Sequence, residues 1–377
     1  MRYNSTQSGG AANWFDLRVF QCIQTMAFAV EEINTNNTFL PNITLGYRIF
    51  DNCGSPAETA RAGLILANRP EEDEYDSLCP SPITAIIASH SVNIARAIGG
   101  FGIPLVSYSS TCSCLSNKRE FPTFSRTIPS DFFQAKALAQ LVKHFGWTWI
   151  GTIQAYSEYG IFGVQAFTKE VIKYGVCIAF TENILSTYSR PAVLQIVETI
   201  KRTTVKIILA FAAERDLYPL MQEIVRQNIT GIQWIASEGW VTAARPSTVE
   251  FFRSFGGTIG FAIRKMAIPQ FKDFLLKIRP SVDSANNLNN AFWEHMVTKQ
   301  LKRVSFVNQF GEAVYFDENG DPPAAYDIIN WQLNKGVVSH VTVGHFDTSP
   351  DGGSQLVIDE DSIVWSTGRE FIYCFNT

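Results

Sequence analysis

The run "TWIGTIQAYSEYGIFGVQAFTKEVIKYGVCIAFTENI", residues 148–184, reads as a strand, a helix and a second strand. "TWIGTIQA" (148–155) and "VCIAFTENI" (176–184) are short apolar runs rich in β-branched residues. Between them "GIFGVQAFTKEVIKYG" repeats its apolar residues at helical spacing and ends on Gly175. The same rhythm continues with strands at "VKIILAFAA" (205–213), "IQWIASE" (232–238) and "GTIGFAI" (257–263). Helices are expected at "PAVLQIVETIKRTT" and "ERDLYPLMQEIVRQN", and strand starts recur every 25–29 residues. Such βα alternation predicts a parallel sheet with helices on both faces.

Upstream, "DFFQAKALAQLVKHFG" is a helix that Ser130 can cap, with Asp131 favourably placed in its first turn. "CIQTMAFAVEEIN", "ETARAGLILAN" and "NIARAIGGF" are further helices, and "ITLGYRIFD", "ITAIIA" and "IPLVSYS" are strands. After residue 280 the pattern changes. "SVDSANNLNN" is loop-like, and "YDIINWQL", "HVTVGHFD" and "SIVWSTG" are strand-like without long helices between them. Two α/β lobes follow, each a mostly parallel sheet flanked by helices. Lobe 1 is residues 1–129 with returns at 281–321 and 358–374; lobe 2 is 130–280 with a return at 322–357.

A chain of 377 residues is long enough for two cores. A net charge of −4 gives no electrostatic footprint for nucleic acid. No apolar run reaches the length of a membrane span, and "MRYNSTQSGG" has no signal core, so a soluble piece is expected. Sequons at Asn4, Asn36, Asn42 and Asn228 are glycosylation candidates and lean toward the secretory pathway. The seven cysteines, at 22, 53, 79, 112, 114, 177 and 374, contain no CxxC and no zinc spacing. Cys112 and Cys114 are expected to be free, packed thiols.

No cofactor motif is present, and a bound calcium or chloride ion is left open. "GGFG" and "GGTIG" miss the dinucleotide and P-loop spacings. "DENGD" (317–321) lacks the ligand spacing of a calcium loop. No GxSxG motif supplies a nucleophile, so an enzyme is not expected. More informative is "VSYSSTCSCLSNK" (106–118), a buried strand running into six hydroxyl side chains with almost no charge. In an open α/β sheet that position borders the ligand crevice, as do "AYSEYG", "FAAERD" and "ASEGW". Glu238, after the buried run Trp234-Ile235-Ala236, is either solvated or held for a cation.

"QTMAFAVEEINTNNTFLPNITLGYRIFDNC", "IPLVSYSSTCSCLSNKREFPTFSRTIPSD", "KHFGWTWIGTI", "ASEGW" and "VYFDENGDPPAAYDIINWQL" resemble the extracellular ligand-binding domain of class C G-protein-coupled receptors. Within that class "STCSCLSNKREFP" and "SRTIPSD" look most like vomeronasal type-2 and fish olfactory receptors, with calcium-sensing and taste receptors as cousins. The resemblance implies a periplasmic-binding-protein-like Venus flytrap at the outer face of the plasma membrane. It further implies dimerisation through lobe 1, a following cysteine-rich and membrane part, and a free amino acid as ligand. Residue by residue, it puts the ligand's carboxylate on Ser110 and Thr111, its ammonium on Asp131, Tyr159 and Glu238, and Arg18 along the outer cleft. Against the family pattern, "AFWEHM" and "LKRVSF" are joined directly by "VTKQ", where a helical segment of several dozen residues is usual.

Overall fold

The computed structural model describes residues 17–36, 40–50, 55–67, 83, 85–89, 91–264, 270–277, 321, 322, 324–348 and 353–366. In chain order its elements begin with α1 (Leu17–Thr35), α2 (Pro56–Ala67), β1 (Ile86–Ala88), α3 (Ser91–Ile98), β2 (Leu105–Ser107) and β3 (Phe124–Arg126). Next come α4 (Asp131–His144), β4 (Trp149–Ala155), α5 (Glu158–Val171), β5 (Cys177–Ile184), α6 (Arg190–Arg202), β6 (Ile207–Phe211) and α7 (Glu214–Arg226). The remainder is β7 (Gln233–Ala236), α8 (Val249–Phe255), β8 (Ile259–Ile263), α9 (Phe271–Lys277), β9 (Ala325–Asn334), β10 (Val337–Thr348) and β11 (Ser354–Ile358). The chain divides into two compact units. One comprises Met1–Asp51, Asp76–Cys79 and Lys265–Glu312; the other comprises Asn52–Tyr75, Pro80–Arg264 and Ala313–Thr377.

In the first unit Phe28 of α1 meets Phe271 and Phe274 of α9 edge-on, at 5.6 and 5.1 Å between ring centres. The strand expected at "ITLGYRIFD" does not form over residues 43–50. The Asn34 amide takes the place of a partner strand: its Nδ2 donates to Leu45 O at 3.0 Å and its Oδ1 accepts from Leu45 N at 2.8 Å. Both backbone groups of Leu45 are thereby satisfied without a ladder.

The second unit holds two sheets. Strands β1, β2 and β3 pair in parallel in that order, over a small core of Ile86, Ile94, Ile98, Leu105, Phe121 and Phe124. The eight-stranded sheet has the order β11-β10-β9-β8-β7-β6-β4-β5. Pairing is parallel from β5 to β8 and antiparallel from β8 to β11. The period of two along β6 explains the layering. Ile207, Leu209 and Phe211 pack toward α4 and α5, whereas Ile208 and Ala210 pack toward α6, α7 and α8. Both faces are buried, as the continuous apolar runs require.

The elements β3, α8, α9 and β11 are not among those expected from the sequence, and a strand is expected at "SIVWSTG". Residues 360–362 form a 3-10 turn instead and 363–366 join no sheet. Both edges of β9 are already taken by β8 and β10. Val364 therefore pairs with a side chain: Asn330 Nδ2 donates to its carbonyl at 3.1 Å and Oδ1 accepts from its N–H at 2.9 Å. Cys112 and Cys114 also differ from expectation, because they are joined as a disulfide. The backbone at Cys112 (φ −44°, ψ 124°), followed by a 3-10 turn over Ser113–Ser116, sets their Cα atoms 5.3 Å apart, within bridging range. Cys177 is exposed and free; Cys53, Cys79, Cys374 and Asn4 lie outside the described residues. Asn42 and Asn228 are exposed turn residues with φ of 62° and 51°.

Candidate functional site

The hydroxyl-rich loop follows β2. Several of its hydroxyls tie it to the segment after β1. Ser107 Oγ donates to Ala88 O at 2.9 Å, and Ser109 Oγ donates to Ser89 O at 3.0 Å. Ser110 Oγ donates to Ser89 O and accepts from Ser91 N at 2.9 Å. Thr111 is buried, its carbonyl accepts from Asp131 N at 2.8 Å, and its N–H has no partner among the described residues.

Asp131 opens α4 after the N-cap Ser130, whose Oγ accepts from Phe132 N at 3.4 Å. Only 1% of Asp131 is exposed, and neither carboxylate oxygen has a hydrogen-bond partner at ordinary distance. Burial pushes its pKa well above the usual carboxylate range, and repulsion from Glu238 adds to that; the Thr111 hydroxyl and the Arg126 charge offset part of it. One turn along α4, Gln134 Nε2 donates to Glu238 Oε2, and Gln134 Oε1 accepts from Glu238 N at 3.4 Å.

Glu238 sits just beyond the carboxyl end of β7, as the strand-end rule predicts. Trp240 anchors its loop: the indole is buried and donates to Ala210 O at 2.9 Å. At Gly239 a Cβ would lie 2.7 Å from Ala212 O and 3.0 Å from the Tyr159 hydroxyl, so a larger residue would push the loop off the tyrosine. Tyr159, in the first turn of α5, donates to Ser237 Oγ at 2.9 Å. Burial raises the Glu238 pKa as well, against the opposing bonds from Gln134 and Tyr159. Tyr159 and the buried Tyr326 of β9 are both held up in pKa by burial first and by the two carboxylates second, so both phenols are neutral.

Four of the expected residues, Thr111, Asp131, Tyr159 and Glu238, are thus linked by short contacts and shared electrostatics, and Ser110 adjoins them through Thr111. Arg18 lies on α1 of the other unit, and its side chain is outside the described residues. Gln134, Ser237 and Tyr326 were not anticipated. For Gln134 the signal existed: a polar residue three positions after Asp131 on an Ala/Leu-rich helix face. Chemically, the buried carboxylate of Asp131, with an unfilled acceptor, and the half-buried Glu238 beside it suit a cation carrying several N–H donors. Among the described residues no group of three His, Cys, Asp or Glu side chains is placed to hold a metal ion.

The sequence pattern of the receptor family ligand binding region matches residues 21–299. The chain belongs to that family. This receptor ligand-binding region is 32% identical to the human (Homo sapiens) extracellular calcium-sensing receptor over 470 aligned positions, covering 93% of this chain and 44% of the relative. It is 33% identical to mouse (Mus musculus) taste receptor type 1 member 1, covering 92% and 49%. Against human G-protein coupled receptor family C group 6 member A it is 31% identical, covering 75% and 32%. These relatives make it a class C ligand-binding region, extracellular and with the periplasmic-binding-protein-like α/β fold. The region spans less than half the length of these relatives. An alignment of 470 positions exceeds the 377 residues here, so the calcium-sensing receptor carries internal residues that this region lacks. No described helix is long and apolar enough to cross a membrane.

The raised carboxylate pKa values give a signed expectation. Above the ordinary carboxylate range the unfolded chain has released protons that the folded one still holds at Asp131 and Glu238. Raising the pH through that window therefore favours the unfolded state. The thermal midpoint of the unliganded protein should fall with pH relative to a double variant, Asp131→Asn with Glu238→Gln. A midpoint difference that stays constant from acid to neutral pH would show both carboxylates to be ordinary.

Proposed function

We propose that this region binds a free amino acid, or a similar small molecule carrying both an amine and a carboxylate, and signals by closure of its lobes without chemical turnover. Supporting it above all is Asp131, a buried carboxylate with the Thr111 hydroxyl beside it and no hydrogen bond at ordinary distance to either oxygen. An ammonium group brings a full charge and three donors to such a site. Asp131 and Glu238 meet the charge, and Tyr159 offers its ring. Ser110 and Thr111 are assigned to the ligand carboxylate, and Arg18 keeps only the outer-cleft role that the family likeness gives it. In this reading lobe 1 is residues 1–129 with returns at 281–321 and 358–374, and lobe 2 is 130–280 with a return at 322–357. The receptor is chemosensory, of vomeronasal or fish olfactory type, and a homo- or heterodimer through lobe 1, with sugars on the exposed Asn36, Asn42 and Asn228. A taste- or calcium-sensing-type receptor is the runner-up, and calcium chloride is included in the test for that reason.

The test is a thermal-shift and calorimetric screen of the twenty L-amino acids, calcium chloride, and amines and carboxylic acids each lacking the other group. A ligand that binds only the folded state raises the midpoint. Saturable binding of at least one amino acid, with the acid-only analogue inactive, is expected. No binding by any of the twenty would overturn the reading, and product formation would make the protein an enzyme.

A further inference from the structure

Arg126, the last residue of β3, has no exposed surface, and its guanidinium is bonded along every edge. Nε is 2.5 Å from Asp321 Oδ1. Nη2 donates to Ser116 Oγ, which in turn donates to Asp321 Oδ2 at 2.8 Å. Nη1 donates to two main-chain carbonyls, Ser110 O at 3.0 Å and Cys112 O at 2.9 Å. Those carbonyls bracket Thr111. In a trans peptide the C=O of one residue and the N–H of the next point opposite ways, and the described chain has no cis bond. Holding Ser110 O on the guanidinium therefore turns the Thr111 N–H away from Arg126. Thr111 O is bonded in its turn by Asp131 N. The hydroxyl-rich loop thereby presents the Thr111 N–H as a fixed donor.

We propose that Arg126 is a positioning residue for ligand recognition: keyed to Asp321 and Ser116, it sets the main chain at 110–112 so that the Thr111 N–H faces the ligand's carboxylate. Its planar five-donor fork reaches two carbonyls, a hydroxyl and a carboxylate at once; a lysine ammonium cannot. The assignment rests on the amino-acid reading above and adds a residue that touches no ligand atom.

The test compares ligands with and without a carboxylate. The probes are the twenty L-amino acids and, for whichever binds the wild type, the amine left when its carboxyl group is removed. In Arg126→Lys the amino acid should weaken at least tenfold while the amine stays within threefold. If Arg126→Lys does not fold, Ser116→Ala keeps the Arg126–Asp321 pair but removes the brace on Nη2. There the amino acid should weaken at least threefold against an unchanged amine. Equal weakening of both ligands would reduce Arg126 to a core staple, and an unchanged ratio in the folded variant would overturn the role. If the wild type binds no amino acid, the function proposed above fails first; if it binds and the ratio does not move, only the positioning role fails.

Discussion

Glu238→Ala should lower amino-acid affinity by roughly 30- to several-thousand-fold, or about 2–5 kcal/mol, the usual loss when one partner of a buried charge pair is removed. Glu238 is more than a charge here. Gln134 bonds both its carboxylate and its N–H, and the hydroxyl of Tyr159 lies close by. Truncation takes the acceptor from Gln134 and removes half of the negative charge offered to the ammonium. The fold should survive, because Trp240 and Ser237 anchor the loop independently, through bonds to Ala210 O and Tyr159. Glu238→Gln keeps an acceptor and should be less severe. Calorimetric titration of both variants decides the matter. A loss under about 0.5 kcal/mol in Glu238→Ala, the size of an ordinary surface change, would make Glu238 a solvated loop residue.

Asp131→Asn should act on binding and stability in opposite directions. Removing the charge deprives the ammonium of its least encumbered partner, so affinity should fall at least a hundredfold. The empty protein should become more stable at neutral pH. A buried, unsatisfied carboxylate costs about 1–3 kcal/mol or more, and the amide removes the charged part of that cost. Against it stands the lost attraction between the carboxylate and the start of α4, about 0.3–1 kcal/mol. The gain should vanish in acid, where Asp131 in the folded protein is already protonated. Melting curves at two pH values, with a titration at the higher one, give both signs. A lower neutral midpoint together with retained affinity would refute the assignment.

How much of this was legible in the sequence depends on where each backbone group finds its partner. Strands β4, β6, β7 and β8 could be read because each is a largely apolar run buried on both faces, so pattern and burial agree; β5, half-exposed at the sheet edge, was legible from its place in the βα rhythm. Over the described residues 43–50 and 362–366 the expected strands do not form, and the two places share one feature. In both places a side-chain amide, Asn34 or Asn330, bonds the main chain, and no local pattern announces such a partner. Glu238 stands out as a carboxylate just beyond a buried strand, whereas Asp131 and Tyr159 are marked as site residues by the family resemblance rather than by local pattern. Gln134 carries only its spacing from Asp131 as a signal, and Tyr326 none, because a buried polar residue in an apolar run reads as part of the core. The disulfide was missed because the tight turn after Cys112 is a property of the 3-10 geometry rather than of the spacing.

The pairing of Arg126 with Asp321 spans 195 residues of chain. During synthesis at about 5–20 residues per second, the arginine waits some ~10–40 s for its partner to be made. Until then a guanidinium destined for complete burial has no carboxylate, and the loop at 110–112 has no clamp. Ser110, Thr111, Asp131, Tyr159 and Glu238 have all been polymerised long before that moment. On the proposed role of Arg126, a nascent chain halted just short of residue 321 would carry each of them and still lack the clamp that sets the Thr111 N–H.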